Sequence, residues 1–453
     1  MKGFTQREGI HFSATFAPVA RLSTVRALLA ISAQAGLKLE QLDFTCAYLH
    51  SDLKEDIWCH PPEGVTCKPG FAWKLNKCVY GLKQSGREWY RTLDAALRSC
   101  GFRRTQADPC LYIRVNAAEP TQFIILLVYV DDVILAHNWG PASLKLKATL
   151  QKHFNVKDLG PLRWFLGMLV EQDHANGTIS ISQGRYIKNV LSRFGFEGAK
   201  PVSTPGNPAK KYTNLQPQEL SPEEKKDVAD FPYRSVVGSL LYAACTTRPD
   251  IAAIVGFLSR AMSDPQPVHV EGAKRCLRYL KGTIGYKIVY QKTQKGAPLT
   301  GFADSNWAGD ENLCSTSGYV FTFAGGPVSW KSFKQRSHAL SSCEAEYYAA
   351  SLAVAEALWL RLLFAELQAV CKDATVIRED NTGCIRLSKD PCAHTKSKHI
   401  HIRHHFIRDH VESGEVTLEY IKTAENIADM FTKVLGRVRF QALVSLLLVA
   451  DHE

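Results

Sequence analysis

The sequence predicts an α/β (α+β) protein of more than one domain, and three observations carry that prediction. Short apolar runs of strand type alternate with longer Ala- and Leu-rich stretches at helical spacing. A chain of 453 residues is too long for one core and suggests about three domains at roughly 150 residues each. The segment 206–230, rich in proline and charge, has the composition of a linker and is the clearest boundary.

Composition narrows the class further. With 45% hydrophobic and 22% charged residues the chain reads as an ordinary globular protein. Fifty-five Lys and Arg against 44 Asp and Glu give a net charge of +11. That balance favours a polyanionic partner such as nucleic acid over an acidic small molecule, with a merely solvated cationic surface as the alternative. Thirteen cysteines, an odd count without a Cys-x-x-Cys pair, fit reduced thiols and signal neither a zinc ribbon nor a redox dithiol. The first residues hold no apolar signal core, and no apolar run approaches the roughly 18 residues that span a bilayer. The expectation is a protein of the cytoplasm or nucleus, neither secreted nor in a membrane.

Taken in order, 19–39 is helical in spacing, and the apolar strand that follows ends in Asp43, with Tyr48 five residues on. A helix is expected over 89–97. The run Phe123 to Val128 and the piece Val133-Ile134-Leu135 read as two buried strands joined by a tight turn that carries Asp131 and Asp132 at its tip. Adjacent anions repel, and a pair of hard oxygen ligands suits Mg²⁺. A third carboxylate, for which Asp43 is the candidate, completes what two-metal phosphoryl transfer needs. Taken alone, each of the three also fits a solvated or capping turn.

Beyond the hairpin, 144–154 reads as an amphipathic helix, 165–181 as a hairpin and 186–194 as another helix. Residues 233–283 form an α-rich piece without obvious chemistry. The last third supplies a second constellation: Asp304 in a strand, a glutamate (Glu344 or Glu346) opening a long helix, Asp380 at a strand end and Asp429 at a late helix. Six histidines crowd 394–410, with His401 and His405 at i, i+4. No Glu follows the first of that pair and no cysteine pair assists, so an exposed basic helix is favoured over zinc.

Five motifs then occur in order: Thr15-Phe16-Ala17-Pro18-Val19-Ala20-Arg21, Gln41-Leu42-Asp43, Ala47-Tyr48-Leu49, Val79-Tyr80-Gly81-Leu82-Lys83-Gln84-Ser85-Gly86-Arg87 and Tyr129-Val130-Asp131-Asp132. Together they resemble the reverse transcriptase of copia-type LTR retrotransposon Pol polyproteins. The resemblance implies a right-hand fold of fingers, palm and thumb over 1–205, incomplete in the fingers at its start. It further implies a linker and connection over 206–295, an RNase H-like domain with a mixed sheet over 296–438, and a helical tail over 439–453. Asp43, Asp131 and Asp132 would be the palm carboxylates. Tyr48 matches the residue under the incoming sugar, and Gln84 and Tyr129 match nucleotide-binding positions. In the second domain Asp304, Glu346, Asp380 and Asp429 match the acidic set, the Tyr-Tyr-Ala-Ala after Glu346 selecting it over Glu344. Two Mg²⁺ per site, with Mn²⁺ as a substitute, are implied. So are an RNA template, a DNA primer, dNTPs and an RNA–DNA hybrid as partners, and virus-like particles as a further location. His401 stands where the family usually has Asp, and Val434 where it often has Pro. An inactive remnant that only binds nucleic acid, or one keeping the nuclease alone, is the alternative.

Overall fold

The computed structural model describes the chain except residues 62–63, 66–67, 69, 213–219, 295, 310–312, 370, 390–400 and 452–453, and gives only the backbone of 401–404. The chain divides into two compact units, 1–21 with 37–163, and 22–36 with 164–453.

The first helix of the chain, α1 (Leu22–Ala35), belongs to the second unit. The first unit is built on a six-stranded sheet in the order β4-β5-β6-β7-β1-β8. Its strands are β1 (Lys38–Phe44), β4 (Arg103–Arg104), β5 (Leu111–Val115), β6 (Phe123–Tyr129), β7 (Asp132–His137) and β8 (Val156–Pro161). A small β2 (Trp58–Cys59) and β3 (Trp73–Lys74) pair lies apart from it. The run Phe123 to Val128 is apolar at every position because β6 is central and buried on both faces. Helix α2 (Ser85–Ser99) buries Trp89, Leu93 and Leu97 at i, i+4 and i+8, the single face that such spacing makes. Trp89 meets Phe44 and Phe154 edge-on, at ring separations of 5.1 and 5.7 Å. Helix α3 (Gly140–His153) buries Leu146, Leu150 and the aliphatic stem of Lys147. Lys147 forms ion pairs of 2.9 Å with Glu40 of β1 and with Asp158 of β8. Glu40 also meets His137 of β7 at 3.0 Å, so one buried polar group ties three strands to a helix.

The second unit holds two five-stranded sheets. One runs β18-β12-β11-β10-β9, formed by β9 (Trp164–Phe165), β10 (Met168–Asp173), β11 (Thr178–Ser182), β12 (Tyr286–Gln291) and β18 (Val449–Ala450). The other runs β15-β14-β13-β16-β17, formed by β13 (Thr300–Asn306), β14 (Thr316–Phe323), β15 (Gly326–Lys334), β16 (Thr375–Glu379) and β17 (Val416–Tyr420). β13 to β15 are an antiparallel meander, while β16 joins β13 in parallel after a helical crossover, which gives the expected mixed sheet. The helices are α4 (Gly184–Arg193), α5 (Pro222–Asp230), α6 (Tyr233–Thr246), α7 (Ala252–Arg260), α8 (Pro267–Gly282), α9 (Ser342–Glu366), α10 (Thr382–Lys389), α11 (His401–Glu412) and α12 (Arg437–Val444). Arg26 of α1 is buried over the Trp330 ring and donates to the carbonyls of Val328, Cys245 and Thr246. Burial pulls its guanidinium down to about 10. Arg248 and Asp250, both fully buried, form a fork completed by Thr283 and Tyr279.

Four expectations change here. The boundary at 205–206 falls inside the second unit, because β11 pairs with β12 more than a hundred residues later and carries the 164–182 hairpin with it. The segment expected as a linker buries Tyr212, whose carbonyl meets His269, and forms α5 behind a Ser221–Glu224 capping box. The tail is more than helical, since β18 pairs with β12. Helix α9 is long and apolar enough by composition to cross a membrane, contrary to the sequence reading. It packs on β13 and β14 and buries Glu346, as a core helix does.

Candidate functional site

The first unit gathers its candidates at one end of the sheet. Asp43 on β1 lies directly opposite Asp132 on β7. Tyr129 pairs with Asp132, leaving Val130 and Asp131 as a two-residue hairpin loop. Val130 has φ +59°, a left-handed conformation that costs a β-branched residue about 1–2 kcal/mol. Neighbours hold it there: the Trp89 indole N–H donates to the Val130 carbonyl at 2.6 Å, and the Phe44 amide to the Asp131 carbonyl at 2.9 Å. Strain kept by surrounding contacts is characteristic of functional turns. Burial pushes the Asp132 carboxyl up; a Gln41 hydrogen bond of 3.3 Å opposes this, and the charges of Asp131 and Asp43 add to it.

Tyr48 stands on the short 3-10 turn Ala47–His50, entered through Cys46 at φ +55°. Its ring lies 4.5 Å from that of Tyr80. Burial and the Asp131 charge push both phenols up, so both aromatics stand beside the carboxylate turn. Tyr80 was not singled out from the sequence, although it sits in a quoted motif. Gln84 is buried, its amide accepting from Gln6 at 3.0 Å and donating to the His11 carbonyl and to Glu55 at 2.9 and 3.3 Å. A nucleotide contact at Gln84 requires these bonds to open.

The second unit brings Asp304, Glu346 and Asp380 together. One carboxylate oxygen from each lies within 4.8 Å of the others, and among the described residues this is the group of three acidic, His or Cys side chains so placed. Asp43, Asp131 and Asp132 do not form such a group. Three elements build the cluster: Asp304 from β13, Glu346 from the first turns of α9, and Asp380 just past the end of β16. Ser341 caps α9 by accepting from the Glu344 amide, while the Glu344 carboxylate accepts from the Leu340 amide. Glu344 therefore serves the cap, and Glu346, 7% exposed, faces inward. One Glu346 oxygen is buried without a hydrogen-bond partner. Burial pushes its carboxyl up strongly, and the charges of Glu379, Asp304 and Asp380 reinforce the shift.

Asp429 lies on the 3-10 turn Ile427–Phe431, fully buried, outside that group of three. Lys433 joins it to Asp304, at 2.6 Å from Asp429 Oδ1 and 3.2 Å from Asp304 Oδ1. Arg439 pairs with the other Asp429 oxygen, and the Thr432 hydroxyl donates to Asp304. Gly318, opposite Asp304 in the sheet, permits this approach: a Cβ there would stand 2.6 Å from Phe431 Cβ. Sequence reasoning missed Lys433, Arg439 and the fully buried Glu379; only the adjacency of Glu379 to Asp380 hinted at any of them. Of the histidine cluster, His394 and His399 and the side chains of His401 and His404 lie outside the described residues. His405 contacts Arg408, and His410 pairs with Glu415 at 2.7 Å.

Comparison with known proteins adds the family. Residues 1–208 match the model for "Reverse transcriptase (RNA-dependent DNA polymerase)". The chain is 41% identical over 445 residues to a retrovirus-related Pol polyprotein from transposon TNT 1-94 of Nicotiana tabacum, covering 97% of this chain and 33% of that one. It is 35% identical over 320 residues to the putative transposon Ty5-1 protein YCL074W of Saccharomyces cerevisiae, covering 70% of this chain and all of that protein. A solved structure of a foamy viral protease-reverse transcriptase in complex with double-stranded DNA is similar at 12% identity and a TM-score of 0.46, over 87% of this chain and 59% of that one. The chain holds a region of the reverse transcriptase class at 1–208. More particularly, it belongs to the Pol polyproteins of copia-type transposons, and it spans about a third of the length of the tobacco relative.

Proposed function

We propose that the chain is an RNA-directed DNA polymerase joined to a ribonuclease H, acting on an RNA template, a DNA primer, dNTPs and the resulting hybrid in the cytoplasm, virus-like particles or the nucleus. The observation that carries the reading is the carboxylate set at the end of each sheet: Asp43 opposite Asp132 beside Asp131, and Asp304 with Glu346 and Asp380. These are hard oxygen donors, and the unpartnered buried oxygen of Glu346 fits a divalent cation such as Mg²⁺ or Mn²⁺. Bound divalent ions supply neutralisation of phosphate charge and activation of the attacking oxygen.

In the polymerase site Asp43 and Asp131 would hold the ions, with Asp132 in support. Tyr48, packed on Tyr80, would offer a ring face to the incoming sugar; Tyr129 would border the nucleotide, and Gln84 would do so once its bonds to Gln6, His11 and Glu55 open. In the nuclease site Asp304, Glu346 and Asp380 would hold an ion beside the RNA strand, with Asp429 on the Lys433 side. Recognition of the hybrid would draw on its 2′-hydroxyls and backbone shape. The excess of Lys and Arg supplies a grip that weakens with salt.

The test is primer extension on an RNA template with dNTPs and Mg²⁺, run beside cleavage of a labelled RNA–DNA hybrid. Asp131→Asn is expected to abolish extension and spare cleavage, and Asp304→Asn the reverse. Activity in neither assay, or activity indifferent to both substitutions, defeats the proposal. A nuclease-only chain is the second reading, favoured by the closer carboxylate grouping in the second unit. It predicts hybrid cleavage without extension.

A further inference from the structure

Four oxygens at the edge of the nuclease cluster are already engaged. Asp304 Oδ1 faces the Lys433 ammonium at 3.2 Å, and its other oxygen accepts from Thr432. Asp429 Oδ1 faces the same ammonium at 2.6 Å, and its other oxygen meets Arg439. Lys433 thus sits between the two aspartates as a shared cation. It reaches that place because the chain makes an i to i+4 turn just past the 3-10 turn, the Lys433 amide donating to the Asp429 carbonyl at 3.1 Å. Within the same cluster, a buried Glu346 oxygen has no hydrogen-bond partner.

The charges point the same way. The Lys433 ammonium faces Asp304 and Asp429, and Arg439 faces Asp429. A divalent ion placed between the two aspartates meets the positive charge of that ammonium. Lys433 is also 32% exposed, so its flexible stem has a path to solvent.

We propose that Lys433 is a built-in competitor for a second divalent ion: the cluster takes one ion at Asp304, Glu346 and Asp380, and admits another between Asp304 and Asp429 only when the Lys433 ammonium withdraws. This rests on the reading of the cluster as a divalent-ion site. Its consequence is an ordered loading, in which the first ion binds at low concentration and the second meets a positive charge in its seat.

The test is Mn²⁺ binding to the full chain, followed by the electron paramagnetic resonance of free Mn²⁺. Wild type, Lys433→Met, Lys433→Arg and Glu346→Gln are compared, each checked by thermal unfolding. Glu346→Gln is expected to lose one ion; if it loses none, the divalent-site reading itself fails. Given that loss, Lys433→Met is expected to bind one further ion, or to bind the weakest ion at least about tenfold more tightly, because a like charge has left its seat. Lys433→Arg is expected to match wild type. Equal ion number and affinity in wild type and Lys433→Met overturns the proposal. Should the Met variant not fold, amine acetylation of wild-type Lys433, read by mass spectrometry, replaces it. Protection that persists through the first binding step and falls in the second supports the competition; protection lost in the first step, or unchanged through both, overturns it.

Discussion

Lys147→Met removes the ammonium at the centre of the first unit's polar interior. Lys147 is 8% and Glu40 10% exposed at the side chain, so Glu40 is left as a buried anion. Breaking a buried pair from one side costs about 3–5 kcal/mol, whereas replacing both partners by neutral groups of similar size is often close to neutral. Glu40 keeps His137 at 3.0 Å and the exposed Lys38 at 3.3 Å, which places the expected loss at the lower end, about 3 kcal/mol. The lost Asp158 partner, 36% exposed, adds less than about 1 kcal/mol. The assay is urea unfolding, with hydrogen exchange of the peptide covering 38–44 to localise the effect, since β1 carries both Glu40 and Asp43. Glu40→Gln with Lys147→Met is expected to recover at least about 1 kcal/mol relative to Lys147→Met alone. A single-variant loss below about 1 kcal/mol, or strict additivity in the double variant, refutes the argument. The acid limb provides a second reading of the same contact. Burial pushes the Glu40 carboxyl up, but the bonds and charges of Lys147 and His137 outweigh it and hold the group at about 2 instead of the ordinary 4.5. The folded-state value is depressed, so this stabilisation is present above about pH 4.5 and is lost as pH falls towards 2. In Lys147→Met that acid loss begins at higher pH.

Three further outcomes follow from single residues. Val130→Gly is expected to unfold at higher urea than Val130→Ala, by about 1 kcal/mol, because glycine removes the left-handed penalty at φ +59° and alanine keeps it; the reverse order contradicts a strained carboxylate turn. Arg248→Met leaves Asp250 buried with only the Tyr279 hydroxyl and is expected to destabilise the second unit by about 3–5 kcal/mol in thermal unfolding, with refutation at losses under about 1 kcal/mol. Gly318→Ala drives a methyl against Phe431 and Thr432 and is expected to cost about 1–3 kcal/mol while lowering hybrid cleavage more than primer extension. Equal loss in the two assays would show that Gly318 does not act through the Asp304 side.

Features that depend on neighbours along the chain were legible before the fold was known. The apolar runs on either side of Asp131 and Asp132 dictate a hairpin with carboxylates at its tip, because strand burial and turn length are local properties. Asp304 within a strand and Asp380 at a strand end were legible for a similar reason, since their own neighbours specify those elements, whereas Glu346 was told from Glu344 only by the family resemblance. What tertiary structure decided is which distant charges meet. Lys433 finds Asp304 across 129 positions, Lys147 finds Glu40 across more than a hundred, and β12 captures β11 into the second unit. None of these leaves a periodic trace, since a cation's partner is set by sheet order and by a close approach such as the one Gly318 allows. Asp429 shows the division most clearly. Its acidity and position could be read in the chain, but only the fold places two cations on its oxygens.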